Sequence, residues 1–211
     1  MMPEWFPLLC LLGCATSAHR LGETEDYGYY RGTNQVWVRG PWEAIKPSSN
    51  VDDVIDQLCP AIMELPRARD KSYGLEYCGA IYSLGDGTYY ASKPSPLTEP
   101  ALEYQSTKKS CGAPREVKDA RSMERPPSII ADYHSHPWAP SEMSEKDRKS
   151  RNHLWSIRIQ FDTACHIQKL IPYAYDNRPS ELYERRGKTW KLIALIQIED
   201  KNTGKLTRVS E

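Results

Sequence analysis

Neither sign of charge is in surplus: 28 Lys and Arg face 28 Asp and Glu across 211 residues, for a formal net charge of zero. Nucleic-acid binding rests on a basic excess that neutralises phosphates, so this balance argues against a nucleic-acid partner. The local clusters Arg148-Lys149-Ser150-Arg151 and Arg185-Arg186-Gly187-Lys188 read as solvated faces. No apolar run reaches the ~20 residues that a transmembrane helix needs. Cys-x-x-Cys metal pairs are missing, and no repeat or low-complexity tract appears. The length fits one domain with a core of its own plus appendages.

Metal-ligand chemistry is concentrated in one stretch, Tyr133-His134-Ser135-His136-Pro137, which continues to Ser144 and Asp147. Apolar Ser128-Ile129-Ile130-Ala131 ahead of it reads as a buried strand leading into a loop. Alternate strand residues share a face, so His134 and His136 point the same way with Cα atoms about 6.6 Å apart. Pro137 cannot donate to a sheet ladder; it ends the strand and lets the chain curl back over the site. Ser144 and Asp147, three apart, share one face of a first helical turn, so a third ligand arrives from a second element. Two imidazoles and a carboxylate suit Zn²⁺ and leave a fourth tetrahedral position open for water, the pattern of a catalytic site.

His-x-His-Pro, seven residues from His136 to Ser144, then Ser-x-x-Asp resembles the signature of the JAMM (MPN+) metalloproteases. The resemblance implies zinc held by His134, His136 and Asp147, with Ser144 helping to hold a tetrahedral intermediate. It also implies a catalytic glutamate on an early strand after the first helix. Glu76, at the opening of the strand Leu75 to Tyr82, fits that description best, with Glu64, Glu116 and Glu124 next in line. Without the resemblance, Ser144 and Asp147 also make a helix cap, and the histidines are polar residues at a strand end. Glu76 then reads as an edge-strand acid facing water.

The N-terminus is apolar from Trp5 to Gly13 and ends in Leu11-Leu12-Gly13-Cys14. Residues 1–18 therefore read as a secretory signal, and the Leu-Leu-Gly-Cys run resembles the lipobox of bacterial lipoproteins, which would make Cys14 a lipid anchor. The expectation is export, to the periplasm or as a membrane-anchored lipoprotein. Met1-Met2-Pro3-Glu4 lacks the basic residues of a signal, so a buried apolar segment in a cytoplasmic protein is the alternative.

Residues 19–48 read as a polar linker in which Tyr27-Gly28-Tyr29-Tyr30 and Gln35-Val36-Trp37-Val38 pair as a hairpin. Asn50 looks like an N-cap for a helix with apolar Val51, Val54, Ile55, Leu58, Ile62 and Leu65, which Pro60 should kink or break. Leu75 to Tyr82 and Thr88 to Ala91 flank a Gly-Asp-Gly turn as a hairpin. The long polar stretch Ser92 to Pro127, with a short helix around Arg115 to Ala120, is either a flap over the cleft or a disordered insertion. Leu154 to Phe161 has helical or strand character, while Ile167 to Tyr175 and Glu181 to Arg185 read as strands. Trp190 to Ile198 is a buried strand or a helix start, and 201–211 is a polar tail.

Cys10 and Cys14 fall in the signal, leaving Cys59, Cys78, Cys111 and Cys165 with three possible pairings after export. Cys165 beside His166 invites a nucleophile reading, but neighbours on a strand face opposite sides. His153 and His166 read as surface or structural residues. The resemblance places a single α/β domain over residues 49–200, a mixed and largely antiparallel sheet flanked by helices. The expected function is hydrolysis of a peptide or isopeptide bond in a peptide or protein substrate by metal-activated water, with Glu76 as general base. The alternative is a binding module that keeps the metal without catalysis.

Overall fold

Central strands buried on both faces and outer strands with one face buried set the architecture of the computed structural model, which describes residues 24–98, 110–122, 125–149 and 153–209. The elements run β1 (Tyr27–Tyr29), β2 (Val36–Gly40), α1 (Val51–Ile62), β3 (Cys78–Ser83), β4 (Tyr89–Ala91) and β5 (Glu116–Asp119). They continue with β6 (Ser128–Ser135), α2 (Glu145–Arg148), β7 (Ile157–Phe161), β8 (Ile167–Ile171), β9 (Ser180–Arg186), β10 (Thr189–Ile196) and β11 (Thr207–Arg208). Eight strands form one sheet in the order β11-β10-β9-β8-β7-β6-β3-β4, and β1-β2-β5 form a second. Within each sheet one pair is parallel, β6 with β7 and β2 with β5; the other pairs are antiparallel.

The expectation of an α/β fold with helices flanking the sheet is overturned. Eleven strands dominate the described residues, and α2 is a single four-residue turn, so α1 is the one helix of any length. The physical reason lies in the periods. Only residues 51–62 repeat their apolar side chains at helical spacing, whereas after Asp147 the apolar residues alternate over Ile157 to Phe161 or come in short runs such as Leu192 to Ile196. Arg115 to Ala120, expected as a short helix, is β5: Val117 and Asp119 are buried while Glu116 and Lys118 face outward. Its period is two.

Asn50 caps α1 by accepting from the Asp52 N–H at 3.1 Å, and Asp52 and Asp53 sit in the first turn, where the helix dipole favours acids. The helix runs through Pro60 to Ile62, because the missing N–H removes one bond in a last turn already anchored by buried Leu58, Cys59 and Ile62. This helix covers one face of the large sheet, packing on Ile81, Tyr133, Ile159 and Phe161. The opposite face carries two other covers. Val36, Val38 and Val117 of the small sheet pack on Ala80, Tyr82 and Tyr90, and Met143 packs on Leu170, Leu182, Ala194 and Ile196. Between those two covers the face is open, and there the polar residues of β6 and β7 lie.

The hairpin of residues 27–40 forms, yet Val36 and Val38 are fully buried, so this stretch of the expected linker is built into the fold. The expected polar tail likewise contributes β11, and Lys201 donates to the Tyr173 and Asp176 carbonyls at 2.6 and 3.0 Å. Leu154 to Phe161 resolves as a strand from Ile157 onward, and Trp190 to Ile198 as a strand up to Ile196. Disulfides join Cys59 to Cys165 and Cys78 to Cys111, which settles the pairing and removes Cys165 as a nucleophile. The signal segment 1–18 with Cys10 and Cys14, and also Glu124, lie outside the described residues. Among the described residues no helix is long and apolar enough to cross a membrane.

Candidate metal centre

Asp132, His134 and His136 alternate along one face at the end of β6, the face left open between the two covers. Strand β6 extends through Ser135, four residues beyond the apolar run, because β3 and β7 pair with it on both sides: Cys78 and Gln160 lie across from His134. The two imidazole centroids are 5.2 Å apart, and both residues are buried. Beyond the strand, the chain turns at Pro137, which needs Gly74 beside it: a Cβ there would sit 2.3 Å from that of Pro137. The returning loop delivers Asp147. Its Oδ2 lies 3.6 Å from His134 Nε2 and 3.8 Å from His136 Nε2.

Buried polar side chains, which sequence reasoning missed, hold that loop. Gln160 Nε2 donates to the Ser141 carbonyl at 3.1 Å, Gln168 Oε1 accepts from the Met143 N–H at 2.7 Å, and Asp162 Oδ2 accepts from the Ser141 N–H at 3.1 Å. Arg148 donates to the Met143 and Gly204 carbonyls at 2.6 and 2.9 Å, fixing α2 from behind. Ser144 caps α2 with its Oγ 3.3 Å from the Asp147 N–H, and its hydroxyl donates to the Asp147 carboxylate. The cap and the ligand set are therefore one arrangement. Arg158, paired at 2.8 Å with buried Asp132, reaches the Asp147 carbonyl at 3.2 Å and its Oδ1 at 3.9 Å. His153 Nε2 meets the same carbonyl at 2.7 Å; since a carbonyl only accepts, that nitrogen carries the proton. The signal for these residues was present as polar positions on a buried strand face.

The donor set fits a metal ion. Ligands around a tetrahedral zinc, with bonds of about 2.0–2.2 Å, stand roughly 3.4 Å from one another. The nearest pairs here are within half an ångström of that, and all three ligand atoms lie within 4.8 Å of one another. His134 Nε2 is buried with no hydrogen-bond partner among the described residues, a costly state that a cation would relieve. His136 Nδ1 is 2.6 Å from Ser141 Oγ; with that nitrogen protonated, the serine accepts and Nε2 turns its lone pair toward Asp147. Burial, reinforced by His134, pushes the His136 imidazolium down to about 4, so the ring is neutral near pH 7. For Asp147, burial pushes the carboxyl up, but His134, Ser144 and Arg158 outweigh it and hold the group well below the usual range. A neutral His136 imidazole and an ionised Asp147 carboxylate therefore stand beside His134. This cluster could hold a metal ion, and nothing in the donor set is particular to one element.

Glu76 joins the same site. The Ser135 N–H donates to the Tyr77 carbonyl and the Tyr77 N–H to Ser135 Oγ, both at 3.0 Å, so the β3–β6 register runs on past Cys78. Glu76, the next residue back from Tyr77, enters the cleft that the two histidines line. Glu76 is buried rather than an edge acid in water, and it lines a cleft of about 1500 Å³ together with His134, His136, Ser144 and Asp147. Glu64 and Glu116 do not line it. Of the stretch expected as a flap or a disordered insertion, Thr98, Cys111 and Arg115 form part of the cleft wall. Trp138, partly exposed at the mouth, stacks on His136 at 5.4 Å. Compared with family models, curated proteins and solved structures, the chain matches none.

Proposed function

We propose that the protein is a zinc-dependent hydrolase of peptide or isopeptide bonds, with His134, His136 and Asp147 as ligands and Glu76 as general base. One observation carries the reading: a buried His134 Nε2, with no hydrogen bond among the described residues, faces Asp147 and His136, with a buried glutamate lining the same cleft. The spacing that resembles JAMM metalloproteases supplies the reaction class. A zinc ion bound there would lower the pKa of a coordinated water toward about 7 and polarise a carbonyl oxygen. Glu76 would take the proton from the attacking water and return it to the leaving amine, so that C–N breaks as C–O forms. Ser144 would turn its hydroxyl from the Asp147 carboxylate toward the carbonyl oxygen as charge develops there. Arg158 would keep Asp147 in place throughout.

An exported location fits this reading. Disulfides persist in oxidising compartments, and two of them staple this domain. The Leu-Leu-Gly-Cys run ending at Cys14 supports a lipid anchor.

The test pairs metal analysis with cleavage of a peptide library. Purified protein should hold about one Zn²⁺ per chain, and His134→Ala or Asp147→Ala should lose it. Unchanged zinc in both variants refutes the ligand assignment. Glu76→Gln should retain zinc while losing 10²- to 10⁴-fold in rate, roughly the worth of a general base. A wild type that holds zinc and cleaves nothing would make the chain a metal-holding binding module.

A further inference from the structure

Five cations and four acids line the cleft, in a chain whose total charge is zero. Their arrangement is uneven. Asp132 is consumed by Arg158 at 2.8 Å, and Glu76 and Asp147 face the metal position. The rim is left with Lys71, Arg115, Lys146 and Lys149 against the single acid Glu145. Lys71, Arg115 and Lys149 make no ion pair among the described residues. They also come from different walls. The Lys71 N–H donates to the Pro137 carbonyl, which seats this lysine beside the His136 turn. Arg115 follows the disulfide-tethered Cys111 and hangs on β2 through the Val36 carbonyl, and Lys149 ends α2 just past Asp147. A bound divalent cation adds to this positive field, and low-dielectric walls concentrate it.

Resting on the hydrolase reading, we infer that the substrate of this cleft is an anionic peptide, whose carboxylates sit against Lys71, Arg115 and Lys149 while the scissile bond lies at the metal. Trp138, flat against His136 with an interplanar angle of 21° and 36% exposed, offers the residue beside that bond an apolar surface. The carboxylates have two sources, Asp and Glu side chains or a free C-terminus. Both meet the same cations.

The test uses full-length zinc-loaded protein with acidic, neutral and basic peptide pools of matched apolar content, each with free and amidated C-termini. The acidic pool should be cleaved with kcat/KM about tenfold above the basic pool at low salt, and the gap should narrow as salt rises toward about 0.5 M. Preference surviving amidation assigns side-chain carboxylates; preference lost on amidation assigns the C-terminus. The exposed double variant Lys71→Glu/Arg115→Glu should keep its zinc and its far-UV spectrum but reverse the acidic-to-basic ratio. Equal cleavage of acidic and basic pools, or an unchanged ratio in the double variant, overturns the inference and leaves the hydrolase intact. If no pool is cleaved, anisotropy with the same labelled peptides decides: acid-selective binding abolished by the double variant upholds the anionic ligand while the hydrolase falls, and non-selective binding overturns both.

Discussion

Arg158 supports the site by joining Asp132 to the Asp147 carbonyl. Its side chain is 8% exposed and that of Asp132 3%, so Arg158→Met strands a carboxylate inside the sheet. Breaking a buried pair on one side costs about 3–5 kcal/mol, mostly the penalty of the charge left behind. Replacing both partners with apolar groups costs far less, and here Leu170, directly across from Arg158 and fully buried, gives the replacement something to pack on. Arg158→Met should therefore lose about 3–5 kcal/mol in urea unfolding, and Asp132→Leu/Arg158→Met should recover to within ~1–2 kcal/mol of wild type. Metal binding should not recover. The double variant still lacks the guanidinium that holds the Asp147 carbonyl at 3.2 Å, and lost outer-shell bonds of this kind cost about 10- to 100-fold in affinity. Chelator competition measures that difference. Single and double variants of equal stability, or a double variant with wild-type zinc affinity, would refute the argument.

The two disulfides should rank in opposite orders for stability and activity. Loop closure over separations of 106 and 33 residues stabilises by about 4.8 and about 3.7 kcal/mol, so Cys165→Ser should lower the urea midpoint more than Cys111→Ser. Cys111→Ser should nevertheless cost more activity, because Cys78 lies across from His134 and Cys111 lines the cleft; equal activity in the two variants would count against that. In metal-stripped protein, His136 stays neutral when folded but takes a proton when unfolded below its usual 6.5, so stability rises with pH between about 4 and 6.5 and is lost on acidification. Urea titrations should show a slope of up to about 1.4 kcal/mol per pH unit in that window, steeper than in His136→Gln. Ser141→Ala should weaken zinc binding by about tenfold without unfolding the protein, since the His136 Nδ1 bond is lost while Gln160 and Asp162 still hold the loop backbone; unchanged affinity in chelator competition would show that Ser141 does not orient the ring.

The fold was legible wherever one period governed a segment. Residues 51–62 repeat at helical spacing behind an Asn cap, and the helix starts where the cap places it. The Gly85-Asp86-Gly87 turn, with φ of 82° and 78° at its glycines, joins two strands as its residue types require. Legibility failed where alternation was short and polar. Glu116 to Asp119 has one apolar residue in four, and its strand exists because β2 is there to pair with it and Tyr82 is there to meet Asp119, with a 2.6 Å bond between them. Partnership of that kind is tertiary and leaves little trace in a four-residue window. The expected helices around the sheet failed for a related reason: the family resemblance rests on six positions between residues 76 and 147, and those positions say nothing of what covers the faces.

The candidate site was legible at the His-His-Asp cluster that could hold a metal and blind at its supports, and the difference has a physical basis. Ligand chemistry restricts residue type to imidazole and carboxylate, so His134, His136 and Asp147 stand out in any order of reading. Supports work through backbone groups, which any donor or acceptor of the right length can meet, and Gln160, Gln168, Arg148 and Arg158 carry no such restriction. Ser144 shows how the two layers join. A helix of four residues has no stability of its own, since nucleation alone is unfavourable. The turn exists because Ser144 caps its start, Arg148 ties it to Met143 and Gly204, and Arg158 and His153 grip the Asp147 carbonyl. Capping and a place in the His-His-Asp cluster are thus not rival accounts of Ser144-x-x-Asp147. The cap is the means by which a carboxylate eleven residues beyond His136 is returned to within 4 Å of it.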